Sequence, residues 1–204
     1  MRITKIDSLR GLGILIVVMG HIDPTPVGNS LIAYFYTFNV PLFFIVSGYL
    51  INSKNDSSSI NFGKFVLKKI KQILIPYAAF FLISLFYGHV IVRLIFNQYV
   101  VPFDFSETFN AFFLSSEWLN RIPTFNFALW FLPLFFLFQL TLGLVCRFLD
   151  STIALIFVLA SALCASFWIQ NILPGRPPLS INALAPALAF GVIGVLIKRN
   201  ENLF

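Results

Sequence analysis

Charged residues are scarce in this sequence. Lys, Arg, Asp and Glu make up 11% of the 204 residues, whereas they make up roughly 25% of a soluble globular domain. A chain of this composition cannot cover its surface with polar side chains. The hydrophobic fraction is 58%, and several apolar runs approach the ~20 residues with which a helix spans a hydrocarbon core. The composition therefore excludes a soluble globular domain and predicts an integral membrane protein.

Cysteine and histidine are also rare, with two residues of each. Cys146 and Cys164 fall at different depths of neighbouring apolar runs, ~15 to 20 Å apart at helical rise, which is too far for a disulfide. No spacing of Cys and His suits a metal site, and no glycine-rich phosphate loop is present. We therefore expect no metal site, and nothing favours nucleotide hydrolysis.

Six apolar runs predict an all-α fold, a multi-pass transmembrane helical bundle of about six spans within a single membrane domain, residues 1–204. The basic N-terminus resembles the start of a signal peptide, but it lacks a small-x-small cleavage site, so we expect an uncleaved first span. The predicted spans are Ile3 to Ile22, Leu31 to Ile51, Ile73 to Phe96, Phe127 to Val145, Thr152 to Leu173 and Leu179 to Ile197.

The positive charges flank the apolar runs unevenly. If the N-terminus is cytoplasmic, eleven of the 14 Lys and Arg residues fall at cytoplasmic ends, and only Arg93, Arg121 and Arg176 lie outside. The positive-inside rule therefore predicts that both termini are cytoplasmic. Nucleic-acid binding is not expected, because the cations punctuate apolar runs instead of gathering on a soluble face.

Two shorter amphipathic segments flank the third predicted span. Phe62 to Gln72 carries Lys68, Lys69 and Lys71, so we expect a basic helix lying on the cytoplasmic surface of the membrane, against anionic headgroups. On the other side, residues 97–126 form the longest connection. Apolar side chains recur there at roughly helical spacing and predict an interfacial helix: Phe105, Phe109, Phe112, Phe113 and Leu119.

The first span carries ionisable residues on one face. The eleven steps from Arg10 to His21 rotate a helix by about 1100°, so the two side chains differ in direction by only ~20°, with ~16 Å of rise between them. Asp7 precedes Arg10 by three residues, which allows pairing. Charges inside a membrane are costly and suggest function. Alternatively, Asp7 and Arg10 reach the inner interface while His21 merely ends the helix in the headgroups.

The second span contains Asn39, Pro41, Ser47 and Gly48. Pro41 should kink or open this helix, and the small residues Ser47 and Gly48 should bring two backbones together. A structural role for Ser47 is favoured over an acyl-carrying one, because no base is visible nearby in the sequence. His89, late in the third span, is expected to pack against a neighbouring helix, although it could also join His21 at the outer side.

Several short motifs resemble a known family. They are IDSLRG at residues 6–11, GH at 20–21, VPLFF at 40–44 and SGYL at 47–50, with LIPY at 74–77 and ALWFL at 128–132 further on. The first eighty residues closely resemble the opening of acyltransferase 3 family proteins. The nearest branch is the fucose 4-O-acetylase-like one.

This resemblance implies a multi-pass enzyme of the bacterial cytoplasmic membrane. Such enzymes move an acyl group, usually acetyl from acetyl-CoA, onto a hydroxyl of a cell-envelope carbohydrate. The family requires an arginine and a histidine separated by ten residues in the first span, and Arg10 and His21 match that spacing. By this resemblance His21 is the general base on the acceptor hydroxyl or a transient acyl carrier, and Arg10 holds the phosphate or carbonyl end of the donor.

By the same resemblance Asp7 would orient Arg10. Asn39 and Ser47 are further candidates for binding or orienting the substrate or the donor. Acetyl-CoA, the carbohydrate acceptor and membrane lipid are the expected partners, with no bound cofactor.

The length of the chain leaves the activity open. Family members usually have more spans, so we expect an incomplete acyltransferase 3 domain. A truncated, inactive chain is the first alternative to an O-acyltransferase. A transporter is the second, because a proline-broken span and intramembrane charges are also transporter features.

Overall fold

The computed structural model describes residues 4–22, 30–51, 62–97, 102–115, 119–122, 126–172 and 177–200, without the side chains of residues 4–5, 20–22, 30–37, 127 and 170. This part of the chain is helical and contains no strand, as the predicted fold class requires. In chain order the helices are α1 (Thr4–Ile22), α2 (Ser30–Leu50), α3 (Phe62–Ile95), α4 (Phe105–Leu114), α5 (Phe131–Phe148), α6 (Thr152–Ile172) and α7 (Leu184–Arg199).

Four helical segments within the described ranges are long and apolar enough to cross a membrane. They are Phe62–Ile95, Ala128–Phe148, Thr152–Ile169 and Pro178–Arg199. The described apolar part of α2, Phe38–Leu50, is shorter. Helices α1 and α2 coincide with the first two predicted spans to within one residue at each end. The chain is thus a multi-pass helical membrane protein.

Helix α3 differs from its prediction. The expected separate basic helix, Phe62 to Gln72, is instead the first part of one continuous helix of 34 residues that ends at Ile95. Pro76 explains the form of the junction, because a proline ring clashes with the carbonyl four residues earlier in a regular helix. Just before it, Ile70–Leu74 widens to a π-helical turn in which the N–H of Ile75 bonds to the oxygen of Ile70. Lys68, Lys69 and Lys71 therefore belong to the same continuous helix as the apolar span.

Helix α4 confirms the helix predicted in the long connection over Phe105–Leu114, whereas Leu119 lies beyond its end. Its N-cap is Asp104, whose carboxylate accepts a hydrogen bond of 2.9 Å from the backbone N–H of Glu107. One face packs on α3, where the Tyr77 hydroxyl donates to the carbonyl of Phe112 at 2.7 Å. Phe105, Phe109 and Phe113 of the same helix are exposed. A helix with this division suits a position at the membrane interface.

Helices α2 and α7 cross at glycines. A Cβ atom on Gly48 would lie 1.9 Å from the carbonyl oxygen of Gly191, and one on Gly194 would lie 2.0 Å from that of Ile45. Only glycine permits so close an approach. Helix α2 also runs through Pro41 to Leu50, so the proline does not end it. The crossing fixes the part of α2 that carries Phe43, Phe44 and the candidate site residues.

The main hydrophobic core lies beside this crossing. Phe44 of α2 meets the ring of Phe138 on α5 at 4.7 Å between centroids, in an edge-to-face arrangement. Leu134, Leu142 and Val192 are fully buried in the same cluster. Helix α5 is therefore packed against α2 and α7, and its Phe135 and Gln139 are directed toward the candidate site.

Candidate active site

Arg10 and Asp7 lie beside each other on α1, one helical turn apart. Arg10 Nη1 and Asp7 Oδ1 are separated by 4.0 Å, and the side chains are 47% and 38% exposed. At this distance the carboxylate is placed to orient the guanidinium, while both groups keep access to other partners. The ion pair itself contributes little to stability at such exposure.

Arg10 reaches the wall of a recess of about 280 Å³, here called the lower cavity, between α1, α2, α3 and α5. Four further polar side chains line it, one or two from each of the other helices: Ser47, Lys69, Gln72 and Gln139. Apolar residues such as Phe65 and Ile73 complete the wall. Two cations, two amides and a hydroxyl thus converge on one space, which is suited to an anionic ligand with carbonyl or amide groups.

Ser47 and Gln139, which both line the lower cavity, are joined by a hydrogen bond. The Gln139 Nε2 donates to the Ser47 Oγ, and only 5% of Gln139 is exposed. Since the Ser47 oxygen is the acceptor in this bond, its own proton can be donated elsewhere. The bond links α5 to α2 at the site.

Lys69, Gln72 and Gln139 are not among the site residues predicted from the sequence. Gln139 carried a usable signal, because it is a polar residue near the middle of the apolar segment Ala128–Phe148, and such residues face a protein interior. Lys69 was assigned to a surface helix, and only the continuity of α3 places it at the cavity. Its ammonium also lies 5.3 Å from the centroid of the Phe65 ring.

A second recess of about 230 Å³, the upper cavity, lies further along α1. Ile14 and Val17 of α1 line it together with Asn39, Val40 and Phe43 of α2. Ala128, Trp130 and Phe131 close the remaining side. Its lining is mainly apolar, in contrast to that of the lower cavity.

Asn39 is the buried polar residue of the upper cavity, with 3% of its surface exposed. Its side-chain oxygen accepts a hydrogen bond of 2.6 Å from the backbone N–H of Val40. This local bond satisfies a donor just before Pro41 and fixes the orientation of the amide. Asn39 and Ser47 lie about two turns apart on α2 and therefore belong to different cavities.

The face of α1 that carries Arg10 is directed at these cavities. Arg10 lines the lower cavity, and Ile14 and Val17 line the upper one. Ile14 follows Arg10 by four residues and Val17 follows Ile14 by three, so the three side chains lie on one stripe of the helix. The next position on this stripe, four residues beyond Val17, is His21. The backbone of His21 belongs to α1, whereas its side chain lies outside the described residues.

His89 lines neither cavity. Its Nδ1 lies 3.3 Å from the carbonyl oxygen of Leu85, and its ring meets that of Phe103 at 5.6 Å between centroids. Its Nε2 is buried and has no hydrogen-bond partner among the described residues. These local contacts are those of a packing residue.

Comparison with known proteins identifies one family. The acyltransferase 3 family model, described as an acyltransferase domain, matches residues 3–203. No curated protein and no solved structure matches the chain. The matched range includes all seven helices, both cavities and the stripe from Asp7 to His21, and it extends far beyond the first eighty residues.

Proposed function

Because the chain belongs to the acyltransferase 3 family, we propose that it is a membrane O-acyltransferase that moves an acetyl group from acetyl-CoA to a hydroxyl of a cell-envelope carbohydrate. The observation that supports this proposal most is the lower cavity. There Arg10, on the face of α1 that leads to His21, converges with Lys69 and two amides of other helices. The acceptor would be a sugar hydroxyl, as in the fucose 4-O-acetylase-like branch that the first eighty residues resemble.

The donor fits the chemistry of the lower cavity. Coenzyme A carries phosphates at one end and two amides in its pantetheine arm. A guanidinium binds phosphate or carbonyl oxygens with planar paired donors, and a lysine adds a point charge. Gln72, Gln139 and Ser47 offer hydrogen bonds to amides. With about 280 Å³ of space, the cavity would hold one part of the donor and leave the rest outside.

His21 would carry out the proton transfer. Acting as a general base, its imidazole takes the proton of the acceptor hydroxyl while that oxygen attacks the thioester carbonyl carbon. The carbon–sulfur bond then breaks, and the coenzyme A thiolate leaves and receives the proton. Transient transfer of the acetyl group to the imidazole is the alternative route. In either route Arg10 holds the donor, and Asp7 orients Arg10.

The proposed location is the bacterial cytoplasmic membrane, with both termini in the cytoplasm. The lower cavity is lined by Lys69, which lies in the basic first part of α3, so its opening would face the cytoplasm, where acetyl-CoA is made. Reporter fusions at residues 204 and 117 test this orientation. A reporter at 204 should be cytoplasmic and one at 117 should be external; the reverse result would contradict the orientation.

Transfer of label from acetyl-CoA tests the function itself. Membranes that contain the chain are incubated with acetyl-labelled acetyl-CoA, and the label in envelope glycans is compared with that in membranes lacking the chain. A gain of alkali-labile label in the glycans supports O-acetylation. If inserted protein gives no label above the background, the inactive alternative holds.

A further inference from the structure

Phe43 occupies a distinctive place between the two cavities. Among the described residues it alone lines both the lower and the upper cavity. Arg10 stands on one side of it along α1, and Ile14 and Val17 stand on the other. The ring of Phe43 therefore lies at the boundary between a polar space and an apolar one.

The ring is held from both flanks. On α1, a Cβ atom added to Gly13 would come within 3.2 Å of the tip of the Phe43 ring, so the absence of a side chain at Gly13 makes room for it. On α5, the ring of Phe131 lies 6.0 Å away between centroids, in a tilted arrangement. Phe43 thus fills the gap between α1 and α5 at the level where the cavities meet.

The two cavities differ in what they can bind. The lower cavity presents Arg10, Lys69 and the two glutamines, whereas the polar groups of the upper cavity are Asn39 and the Trp130 indole. A molecule with a charged, amide-rich part and a short apolar end matches this order. An acyl thioester of coenzyme A has that order, with the acyl group at its end.

We propose that Phe43 is a specificity-determining residue that limits the length of the acyl group that fits where the lower cavity meets the upper one. This inference rests on the proposed function. An acetyl group fits beside the ring, whereas a longer chain needs the space that the ring occupies. Removing the ring joins the two cavities and gives a longer acyl chain apolar walls to bind, including Ile14, Val17 and Phe131.

Equilibrium binding of CoA thioesters tests this proposal without requiring turnover. The purified full chain is titrated with acetyl-, butyryl- and hexanoyl-CoA, and the wild type is compared with Phe43→Ala and the milder Phe43→Leu. The matched control is Phe44→Leu. Phe44 is the next residue, is 3% exposed, lines neither cavity and packs against Phe138. Thermal unfolding of each variant confirms that it is folded.

The expected result is a change in selectivity. The wild type should bind acetyl-CoA more tightly than hexanoyl-CoA, and Phe43→Ala should raise the affinity for hexanoyl-CoA relative to acetyl-CoA on the order of tenfold. Phe43→Leu should shift it in the same direction by less, and Phe44→Leu should leave the ratio unchanged. If the ratio of the affinities for hexanoyl-CoA and acetyl-CoA is the same in the wild type and in both Phe43 variants, the role of Phe43 is overturned. The proposed donor would not be affected by that result. If no CoA thioester binds the wild type, the proposed donor fails, and the inference fails with it.

Discussion

The amide of Gln139 donates a hydrogen bond to the hydroxyl oxygen of Ser47, and this bond ties α5 to α2 at the wall of the lower cavity. Two helices that are far apart in sequence thereby present their polar groups to the same space. The neighbouring contacts between these helices are apolar, as between Phe44 and Phe138. The bond thus fixes Ser47 and Gln139 relative to each other, beside the aromatic packing of the two helices.

A double-mutant cycle measures this bond. Ser47→Ala and Gln139→Ala should each lower the free energy of unfolding, and their coupling energy should be about 1 kcal/mol, within the range for hydrogen bonds between membrane helices. The same cycle with Thr141→Ala in place of Gln139→Ala should be additive, since Thr141 bonds to the Leu137 carbonyl of its own helix. Additive effects of Ser47 and Gln139 in detergent unfolding would contradict the bond.

The crossing of α2 and α7 should tolerate no side chain at Gly48. Gly48→Ala would place a Cβ atom 1.9 Å from the Gly191 carbonyl oxygen, so the helices must move apart. We expect a loss of at least ~2 kcal/mol in the free energy of unfolding, measured by thermal or denaturant unfolding in detergent. Gly11→Ala is the matched control, because a Cβ atom there meets nothing within 4 Å. Equal stability of the two variants would show that the helices do not cross as described.

The cations of the lower cavity should control donor affinity. Lys69→Gln should weaken acetyl-CoA binding about tenfold, equivalent to ~1.4 kcal/mol, because one charge facing the donor is lost. Arg10→Lys should also weaken binding, since lysine lacks the planar donor pair. Lys68→Gln is the matched control. It removes a charge at the neighbouring residue, whose side chain is exposed and lies outside the cavity, so it should have little effect on binding. If Lys68→Gln weakened binding as much as Lys69→Gln, the effect would be one of general surface charge.

The sequence predicted the helices well because their apolar runs carry a strong signal, and the six predicted spans all coincide with helices. It did not predict the continuity of α3 but a separate basic helix, Phe62 to Gln72, since a widened turn that lets a helix continue through proline leaves no pattern in a single sequence. It also missed Lys69 at the cavity for that reason. Arg10 could be found from helical periodicity, whereas Gln139 and Phe43 become site residues only through the packing of α1, α2 and α5.

Replacement of His21 tests the central claim most directly, in membranes that transfer label from acetyl-CoA. A side chain that takes a proton in the transition state contributes ~10²- to 10⁴-fold, so His21→Ala should lower turnover by that order while the protein remains inserted. His89→Ala is the control and should cause a much smaller loss, because His89 contacts Leu85 and Phe103 and lines neither cavity. Near-normal transfer by His21→Ala, together with loss of transfer by His89→Ala, would contradict the assignment of the active site to the α1 stripe.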